Sequence, residues 1–125
     1  MADGPRATTL VNAFECEPHS LNAFLRLWQR RARFLSEQPG FLRLRLLQAE
    51  SAGARFQVVV ISEWESVDAL HQATCQGSFH AGARHSVEEL GVIAHPGIYR
   101  VTLDVESALR PCRDVGASSL RRARR

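Results

Sequence analysis

Trp64 is the first candidate for a chemical role, because it ends the apolar stretch RFQVVVISEWES (55–66) and stands between Glu63 and Glu65. An indole N–H can donate a hydrogen bond to a substrate oxygen, and an indole ring also fills a large volume of a protein core. The two roles are compatible, and the sequence leaves both open for Trp64.

Three histidines and one arginine in the second half of the chain are candidates for acid–base and anion-binding roles. An imidazole side chain can act as a general base near neutral pH, so His71, His80 and His85 are candidates for this role. If residues 79–90 form a helix, His80 and Arg84 are neighbours at i and i+4, whereas His85 points elsewhere. A guanidinium near a pocket can hold a phenolate or a developing oxyanion. Surface histidines and a solvated helix arginine are the alternative interpretation.

The sequence lacks the residue patterns that are typical of several other kinds of catalytic site. The histidines and carboxylates show no spacing typical of a metal site, and no Ser-His-Asp or Cys-His arrangement is recognisable. Cys16, Cys75 and Cys112 form no CxxC pair, so we interpret them as buried or idle thiols. No glycine-rich phosphate loop or dinucleotide fingerprint is present, which argues against a tightly bound nucleotide cofactor.

The positive charge belongs to the C-terminal end of the chain. The formal net charge is +3, yet residues 1–105 hold 10 Arg and 11 acidic residues, whereas residues 106–125 hold 6 Arg and 2 acidic residues. We therefore predict an extension at 1–7, one domain at 8–105 and a flexible arginine-rich tail at 106–125. Without a nucleic-acid-binding motif, a solvated tail is favoured over nucleic-acid binding.

The lack of a long apolar run and of an export signal predicts no membrane contact and a cytoplasmic location.

The hydrophobic periodicity predicts the order strand, helix, strand, strand, helix, strand. The strands are predicted at 8–17, 41–50, 55–66 and 95–105, and the helices at 21–38, with Ser20 as N-cap, and at 66–76, with Ser66 as N-cap. Residues 78–92 form a further helical piece or an ordered loop. This order is that of the ferredoxin-like βαββαβ fold, an α+β arrangement with an antiparallel four-stranded sheet and helices on one face.

The predicted strands are more apolar than a sheet with one wet face requires. The third strand contains four consecutive apolar residues, Val58 to Ile61, and the last has Tyr99 and several valines and leucines on one side and Ile98 on the other. On the second strand, alternation places Phe41 opposite the face that carries Leu44 and Leu46. Since the chain has no spare segment to cover the second face of the sheet, we expect a homodimer whose sheets pack face to face.

Four short motifs carry a resemblance to a known family. They are QPGF (38–41), ARF (54–56), SEWES (62–66) and HPGIYRV (95–101). In this combination and element order, the chain resembles the antibiotic biosynthesis monooxygenase superfamily of dimeric α/β barrels. The resemblance implies a ferredoxin-like protomer, a dimer, and a pocket between the sheet and the helices of each protomer.

The resemblance also implies roles for individual residues. Trp64 matches the Trp with which quinone-forming members line the pocket, and Arg84 falls where those members carry an Arg. The same members carry an Asn at the position that is Val60 here. Asn12, midway along the first strand, is the candidate to substitute for that amide, because a buried strand amide needs a partner.

Haem-degrading members need a Trp and a His at positions that are Ala73 and Ala83 here, so haem degradation fits poorly.

The candidate site residues fall into two groups, and no metal ligand is expected. The candidate catalytic residues are Trp64, His80, Arg84 and His85. The candidate substrate-binding residues are Asn12, Phe14, Val60, His71, Phe79 and Tyr99.

Two functions agree with the resemblance. The first is an oxygenase that oxidises an aromatic polyketide-type intermediate of bacterial antibiotic biosynthesis with dioxygen and without a tightly bound metal or cofactor. In one variant, reduced flavin from a partner flavin reductase is a diffusible co-substrate. The second is a non-oxidative polyketide cyclase or ligand-binding accessory protein of the same fold, which the Val60 substitution favours. In both cases the partner is a small aromatic molecule.

Overall fold

The computed structural model describes residues 7–75 and 88–109. Within them the elements are β1 (Thr8–Glu15), α1 (Pro18–Ser36), β2 (Phe41–Gln48), β3 (Val58–Trp64), α2 (Val67–Thr74) and β4 (Ile93–Tyr99). The strands form one antiparallel sheet in the order β2-β3-β1-β4. This topology confirms the predicted ferredoxin-like α+β fold. Most of the predicted helical piece at 78–92 and of the arginine-rich tail lies outside the described residues.

The start of α1 differs from the prediction, because Ser20 is not its N-cap. The helix begins at Pro18, and the N-cap residue Glu17 makes no capping hydrogen bond with its side chain. A proline suits the first helical position, where its fixed φ is helical and its missing N–H would have no partner. Ser20 lies buried in the first turn, and its hydroxyl donates to the carbonyl oxygen of Leu90 at 2.9 Å. This bond ties the start of α1 to the segment that leads into β4.

The start of α2 is fitted against the turn before β2. Ser66 is the N-cap, as predicted, and its hydroxyl accepts from the N–H of Ala69 at 3.1 Å. Gly40 has a φ of +85°, and a Cβ at Gly40 would lie 2.5 Å from the Cβ of Ala69. The Gly40 carbonyl accepts from the N–H of Glu65 at 2.8 Å. The QPGF and SEWES motifs are therefore parts of one contact, which explains why they occur together.

A β-bulge in β2 corrects the predicted alternation of that strand. Phe41 pairs with Trp64, but the next paired residue of β2 is two positions further on, so Leu42 is an extra residue. Phe41 consequently packs against the core together with Leu44 and Leu46, rather than on the opposite face. Leu42 itself is 48% exposed.

The last strand is displaced relative to the prediction of 95–105. β4 runs from Ile93 to Tyr99, and residues 100–105 are outside it. Among the described residues β4 pairs with β1 alone, and Tyr99 lies opposite Thr9, one residue from the start of β1. The ladder therefore ends where β1 begins. Pro96 is accommodated because β4 is an edge strand.

Both helices pack on the same face of the sheet. Phe24 and Leu35 of α1 and Leu70 of α2 belong to one buried cluster with Phe14 of β1 and Trp64 of β3. On the opposite face the side chains of the central strands are half-buried and those towards the sheet edges are exposed, as shown by Val11, Val59, Ile61, Leu47 and Tyr99. The helix-covered face holds the core and the candidate site.

Candidate active site

A cavity of about 330 Å³ lies between the sheet and the two helices. This volume falls in the range of small-molecule sites, roughly 300–1,000 Å³. The lining is largely apolar with a few polar groups, as expected of a site that orients an aromatic ligand and excludes water. The sheet contributes Leu10, Asn12, Val60, Ser62, Trp64, Ala94, Pro96 and Ile98, and the helices contribute Trp28, Arg31, Leu35, Leu70, His71 and Thr74.

Asn12 and Val60 form the centre of the sheet side of the cavity. They are directly paired across β1 and β3, and Pro96 of β4 pairs with Asn12 on its other side. The Oδ1 atom of Asn12 is buried and has no hydrogen-bond partner among the described residues. An unpaired buried acceptor costs roughly 1–3 kcal/mol, so a ligand that donates an O–H to Asn12 recovers that loss.

Trp64 lines the cavity, and its indole N–H already donates a hydrogen bond within the protein. The residue is 0% exposed, and its Nε1 donates to the Oγ of Ser62 at 3.0 Å. Its ring meets that of Phe41 edge to face, with centroids 5.3 Å apart. The structure thus shows the packing role of Trp64, while donation to a substrate stays a prediction that requires the bond to Ser62 to open.

The helix side of the cavity carries a tryptophan and an arginine that lie one turn apart on α1. Trp28 is 3% exposed, and its Nε1 is buried with no hydrogen-bond partner within residues 7–75 and 88–109. The guanidinium carbon of Arg31 lies 4.4 Å from the centroid of the Trp28 ring, a cation–π geometry. Burial lowers the pKa of the Arg31 guanidinium to about 10, which still leaves it protonated at neutral pH.

Two residues of α1 that line the cavity, Trp28 and Arg31, were not predicted as site residues from the sequence. The signal was present, because Arg31 follows Trp28 by three residues and precedes Leu35 by four, so it occupies the same helix face. A charged residue within an apolar stripe is buried only where something stabilises its charge.

The other predicted site residues are spread over the molecule. His71 lines the cavity and is exposed, so it lies at the rim. Phe14 packs with Phe24 and Trp28 in the core, with ring centroids 4.8 and 5.9 Å away, and does not line the cavity. Tyr99 pairs with Thr9 on the opposite face of the sheet and is 59% exposed. Phe79, His80, Arg84 and His85 lie outside the described residues.

A second, larger concavity of about 500 Å³ lies where β1 and β2 end and the β2–β3 turn begins. It contains Glu15, whose Oε2 lies 2.8 Å from Nε2 of His95 and 3.2 Å from NH2 of Arg55. The hydrogen bond from His95 is the main cause that lowers the pKa of Glu15 below its ordinary value, with Arg55 contributing. Since these charged groups satisfy one another, this concavity is a weaker candidate for catalysis than the cavity at Asn12.

The described part of the chain shows no group of three or more His, Cys, Asp or Glu placed to hold a metal ion. In the same residues, neither helix is long and apolar enough to cross a membrane.

The family model described as antibiotic biosynthesis monooxygenase matches residues 8–85. The chain therefore belongs to this family, as the motifs indicated. No curated protein sequence matches it significantly.

Solved structures that are similar to the chain include proteins described as oxygenases. SnoaB, a cofactor-independent oxygenase from Streptomyces nogalater, is 26% identical and has a TM-score of 0.67, with 82% of this chain and 99% of SnoaB covered. A proposed monooxygenase from Shewanella loihica is 27% identical and has a TM-score of 0.63, with 81% of this chain and 99% of that chain covered. A heme-degrading protein from Mycobacterium tuberculosis is 21% identical, has a TM-score of 0.61, and shares the fold, with 83% of this chain and 100% of that chain covered.

Proposed function

We propose that the protein is an oxygenase that oxidises an electron-rich aromatic intermediate of the polyketide type in bacterial antibiotic biosynthesis. Dioxygen is the oxidant, and no tightly bound metal or cofactor takes part. The observation that carries the proposal is the largely apolar cavity with Asn12 opposite Val60, which supplies an amide one strand away from the position where quinone-forming relatives carry theirs. Family membership and the similarity to SnoaB support it.

The chemistry requires an acidic CH₂ group that is conjugated with a ketone through aromatic rings, as in an anthrone. Loss of one proton gives an enolate, whose carbon adds dioxygen to form a hydroperoxide. Loss of water then gives the quinone, so that R₂CH₂ + O₂ becomes R₂C=O + H₂O with atoms and electrons balanced. The protein supplies orientation and a dry cavity, which are worth most when the reacting atoms are held near contact distance.

Within this scheme Asn12 binds the substrate, and Val60 and Trp64 form the apolar wall. The Oδ1 atom of Asn12 accepts from a substrate hydroxyl and its amide N–H donates to the developing oxyanion. His71 is the candidate general base among the described residues, because it lies at the rim where a proton can pass to solvent. His80, Arg84 and His85 remain candidates for the same acid–base and anion-binding roles.

We further propose that the protein is a homodimer in which the second face of the sheet is covered by another copy. Val59 and Ile61 on that face are half-buried in the single chain, and Leu47 and Tyr99 are 45% and 59% exposed. Covering such a face stabilises the assembly by roughly 25 cal/mol for each Å² of apolar surface removed from water. Light scattering at micromolar concentration is expected to give twice the mass of one chain, and a monomer contradicts the proposal.

The oxygenase proposal is tested with dithranol, a dihydroxyanthrone, as the substrate. Purified protein treated with chelator and free of flavin is expected to speed oxygen consumption above the autoxidation rate of dithranol alone. Dependence on added reduced flavin and a flavin reductase would select the flavin variant of the same oxygenase. Formation of the quinone in the absence of oxygen overturns both the cofactor-free and the flavin-dependent form of the oxygenase proposal.

The Val60 substitution specifically favours a second function, a non-oxidative cyclase or ligand-binding protein, because the position lacks the amide of quinone-forming relatives. This alternative predicts that aromatic ligands bind and that oxygen consumption does not rise above background. It fails if oxygen is consumed in proportion to quinone formed and the rate falls in a Trp64→Phe variant that remains folded.

A further inference from the structure

The segment VTLDV (101–105), which closely follows β4, has the sequence of a strand but no strand to pair with. Apolar residues alternate with polar ones, and most of the residues favour strands. In the structure the segment belongs to no helix or strand, and Val101, Leu103 and Val105 are 66%, 80% and 76% exposed. Exposed apolar side chains at alternate positions indicate that a partner surface is missing from the single chain.

The outer edge of β2 can take another strand. β2 lies at the end of the sheet, and among the described residues it pairs with β3 alone. Its outward backbone N–H and C=O groups are therefore a template for a further strand. Leu44 and Leu46 of β2 pack against the core on the helix side, so the alternating Arg43 and Arg45 lie on the opposite face.

The two sides of the VTLDV segment match the two sides of β2. Paired as a strand, the segment has its three apolar residues on one side and Asp104 on the other. When the apolar side continues the leucines of β2, Asp104 comes to the face that carries Arg45. Arg45 is exposed and has no ion pair within the described ranges, whereas Arg43 is paired with Glu63 at 3.8 Å. Opposite charges on neighbouring strands stabilise the pairing of those strands.

The β2 edge of the same chain is badly placed for this pairing. β4 and β2 are the two edges of the sheet, three strand spacings or about 14 Å apart. Crossing the sheet consumes about four residues at roughly 3.3 Å each, which exhausts the segment before it can run alongside β2. Two sheets packed face to face about a two-fold axis along the strands place β4 of each copy over β2 of the other, so a second copy needs no such crossing.

Face-to-face packing also creates a need for a counter-charge at Arg45. The residue lies on the face that the proposed homodimer covers, and a charge taken out of water is costly unless an opposite charge accompanies it. Glu63 on the same face is already paired with Arg43. An acidic residue supplied by the other copy removes this cost.

We propose that residues 101–105 of each copy add a strand to the outer edge of β2 in the other copy, where Asp104 of the partner subunit pairs with Arg45. The inference rests on the homodimer of the proposed function and goes beyond it, because it names the segment and the ion pair that make a second copy of this chain the partner. It also accounts for a strand pattern that reaches residue 105 although β4 ends at Tyr99.

An exchange of charges tests the ion pair. Arg45→Glu and Asp104→Arg are each expected to raise the dissociation constant of the dimer by about tenfold or more, because like charges then face each other. The double variant restores the attraction with the signs reversed and is expected to bring the constant most of the way back to the wild-type value. Analytical ultracentrifugation measures the constants, and Arg30→Glu on the exposed side of α1 is the matched control.

The apolar side of the segment is tested by Leu103→Ser. Loss of this side chain from the contact is expected to raise the dissociation constant by about tenfold or more. Leu109→Ser removes a leucine that is 94% exposed and lies beyond the alternating residues, so it is expected to leave the constant unchanged. Melting curves establish that each variant is folded.

Cross-linking between unlike chains identifies the contacting strands. One chain carries Leu47→Cys on β2 and a co-expressed chain carries Thr102→Cys, both with Cys75→Ser and Cys112→Ser. A short bis-maleimide is expected to join the two chains. Moving the first cysteine to α1, as Gln29→Cys in place of Leu47→Cys, is expected to abolish the product.

The inference is overturned if the wild type is a dimer but the double charge variant is no tighter than the single variants, or if Leu47→Cys gives no more cross-linked product than Gln29→Cys. The second result is expected if the segment pairs within its own chain or with another protein. A dimer that persists in either case leaves the homodimer proposal standing without the exchanged strand. A wild-type monomer at micromolar concentration overturns both, and oxygen consumption with dithranol tests the oxygenase independently of these results.

Discussion

Asn12 and Val60 stand opposite each other in the antiparallel ladder of β1 and β3, and both side chains line the cavity between the sheet and the helices. Side chains at such paired positions lie about 4.5–5.5 Å apart at their Cβ atoms. The family position that carries an amide in quinone-forming members is apolar here, but an amide stands on the neighbouring strand at the same level of the sheet. We therefore propose that Asn12 supplies at the facing position the amide that Val60 lacks.

This relationship predicts that the amide can be exchanged between the two strands. Asn12→Val is expected to lower the rate of oxygen consumption with dithranol by about 10²-fold, the usual effect of removing one hydrogen bond to a developing oxyanion. The double variant Asn12→Val with Val60→Asn restores the amide to the family position and is expected to recover part of the rate. Oxygen electrode measurements on the two variants check this.

The stability of the same variants tests whether Asn12 serves the ligand rather than the fold. Because Oδ1 of Asn12 is buried without a described partner, Asn12→Val is expected to raise the free energy of unfolding by about 1 kcal/mol. Urea denaturation measures the change, with Asn22→Ala on the exposed side of α1 as control. Loss of stability in Asn12→Val would show instead that the amide is structural.

Ser62 and Trp64 are predicted to act as one unit of the cavity wall. Ser62→Ala leaves the indole N–H of Trp64 without its acceptor in a fully buried place, and the free energy of unfolding is expected to fall by about 1–3 kcal/mol. Ser36→Ala, which removes an exposed hydroxyl at the end of α1, is the control and is expected to cost less than about 0.5 kcal/mol. Equal effects of the two substitutions contradict the account of this hydrogen bond.

The turn at Gly40 is predicted to tolerate no side chain. Gly40→Ala places a Cβ 2.5 Å from that of Ala69 and forces alanine to adopt a φ of +85°, so we expect a loss of about 2–4 kcal/mol of stability. Gly53→Ala, in the turn between β2 and β3, would meet its nearest atom at 3.8 Å and is expected to be nearly neutral. The measurement is urea denaturation, and recovery of stability in Gly40→Ala with Ala69→Gly identifies the overlap as a cause.

The Glu15 cluster predicts how stability depends on pH. The pKa of Glu15 is lowered from its ordinary value of 4.5, chiefly by the hydrogen bond from His95. A carboxyl with a lowered pKa contributes stability that is present above its unfolded-state pKa and is lost as the pH falls through the folded-state value. We therefore expect Glu15→Gln to flatten the fall in stability below pH 4.5 and Glu17→Gln, an exposed neighbour, to leave it unchanged. Identical acid profiles in Glu15→Gln and wild type rule the contribution out.

The fold was predictable because its signals are local. The four consecutive apolar residues of β3 and the capping serine of α2 each follow from a short stretch of chain. The errors arose where tertiary pairing decides the outcome. The bulge at Leu42 appears only when β2 is paired with β3, and the end of β4 at Tyr99, opposite Thr9, depends on its pairing with β1.

The site was less predictable, because a cavity is assembled from residues that are distant in the chain. Asn12 and Val60 are separated in the chain by a helix and a strand, and their facing positions depend on the register of β1 and β3. Arg31 was recognisable as a charge at apolar spacing, yet the periodicity alone cannot say that a cavity lies beside it. Successive side chains of a strand point to opposite faces of the sheet. Tyr99 pairs with Thr9, which is three residues from Asn12 along β1, so Tyr99 lies on the face opposite to that of Asn12.

The central claim is that the protein itself catalyses oxidation by dioxygen, and isotope labelling of the product tests it most directly. Chelator-treated, flavin-free protein is incubated with dithranol under ¹⁸O₂, and the quinone is analysed by mass spectrometry against a protein-free control. The account predicts quinone formed faster than the control, with one ¹⁸O atom in each quinone and one O₂ consumed per quinone. Quinone that forms no faster than the control, or that carries oxygen from water alone when exchange is excluded, contradicts it.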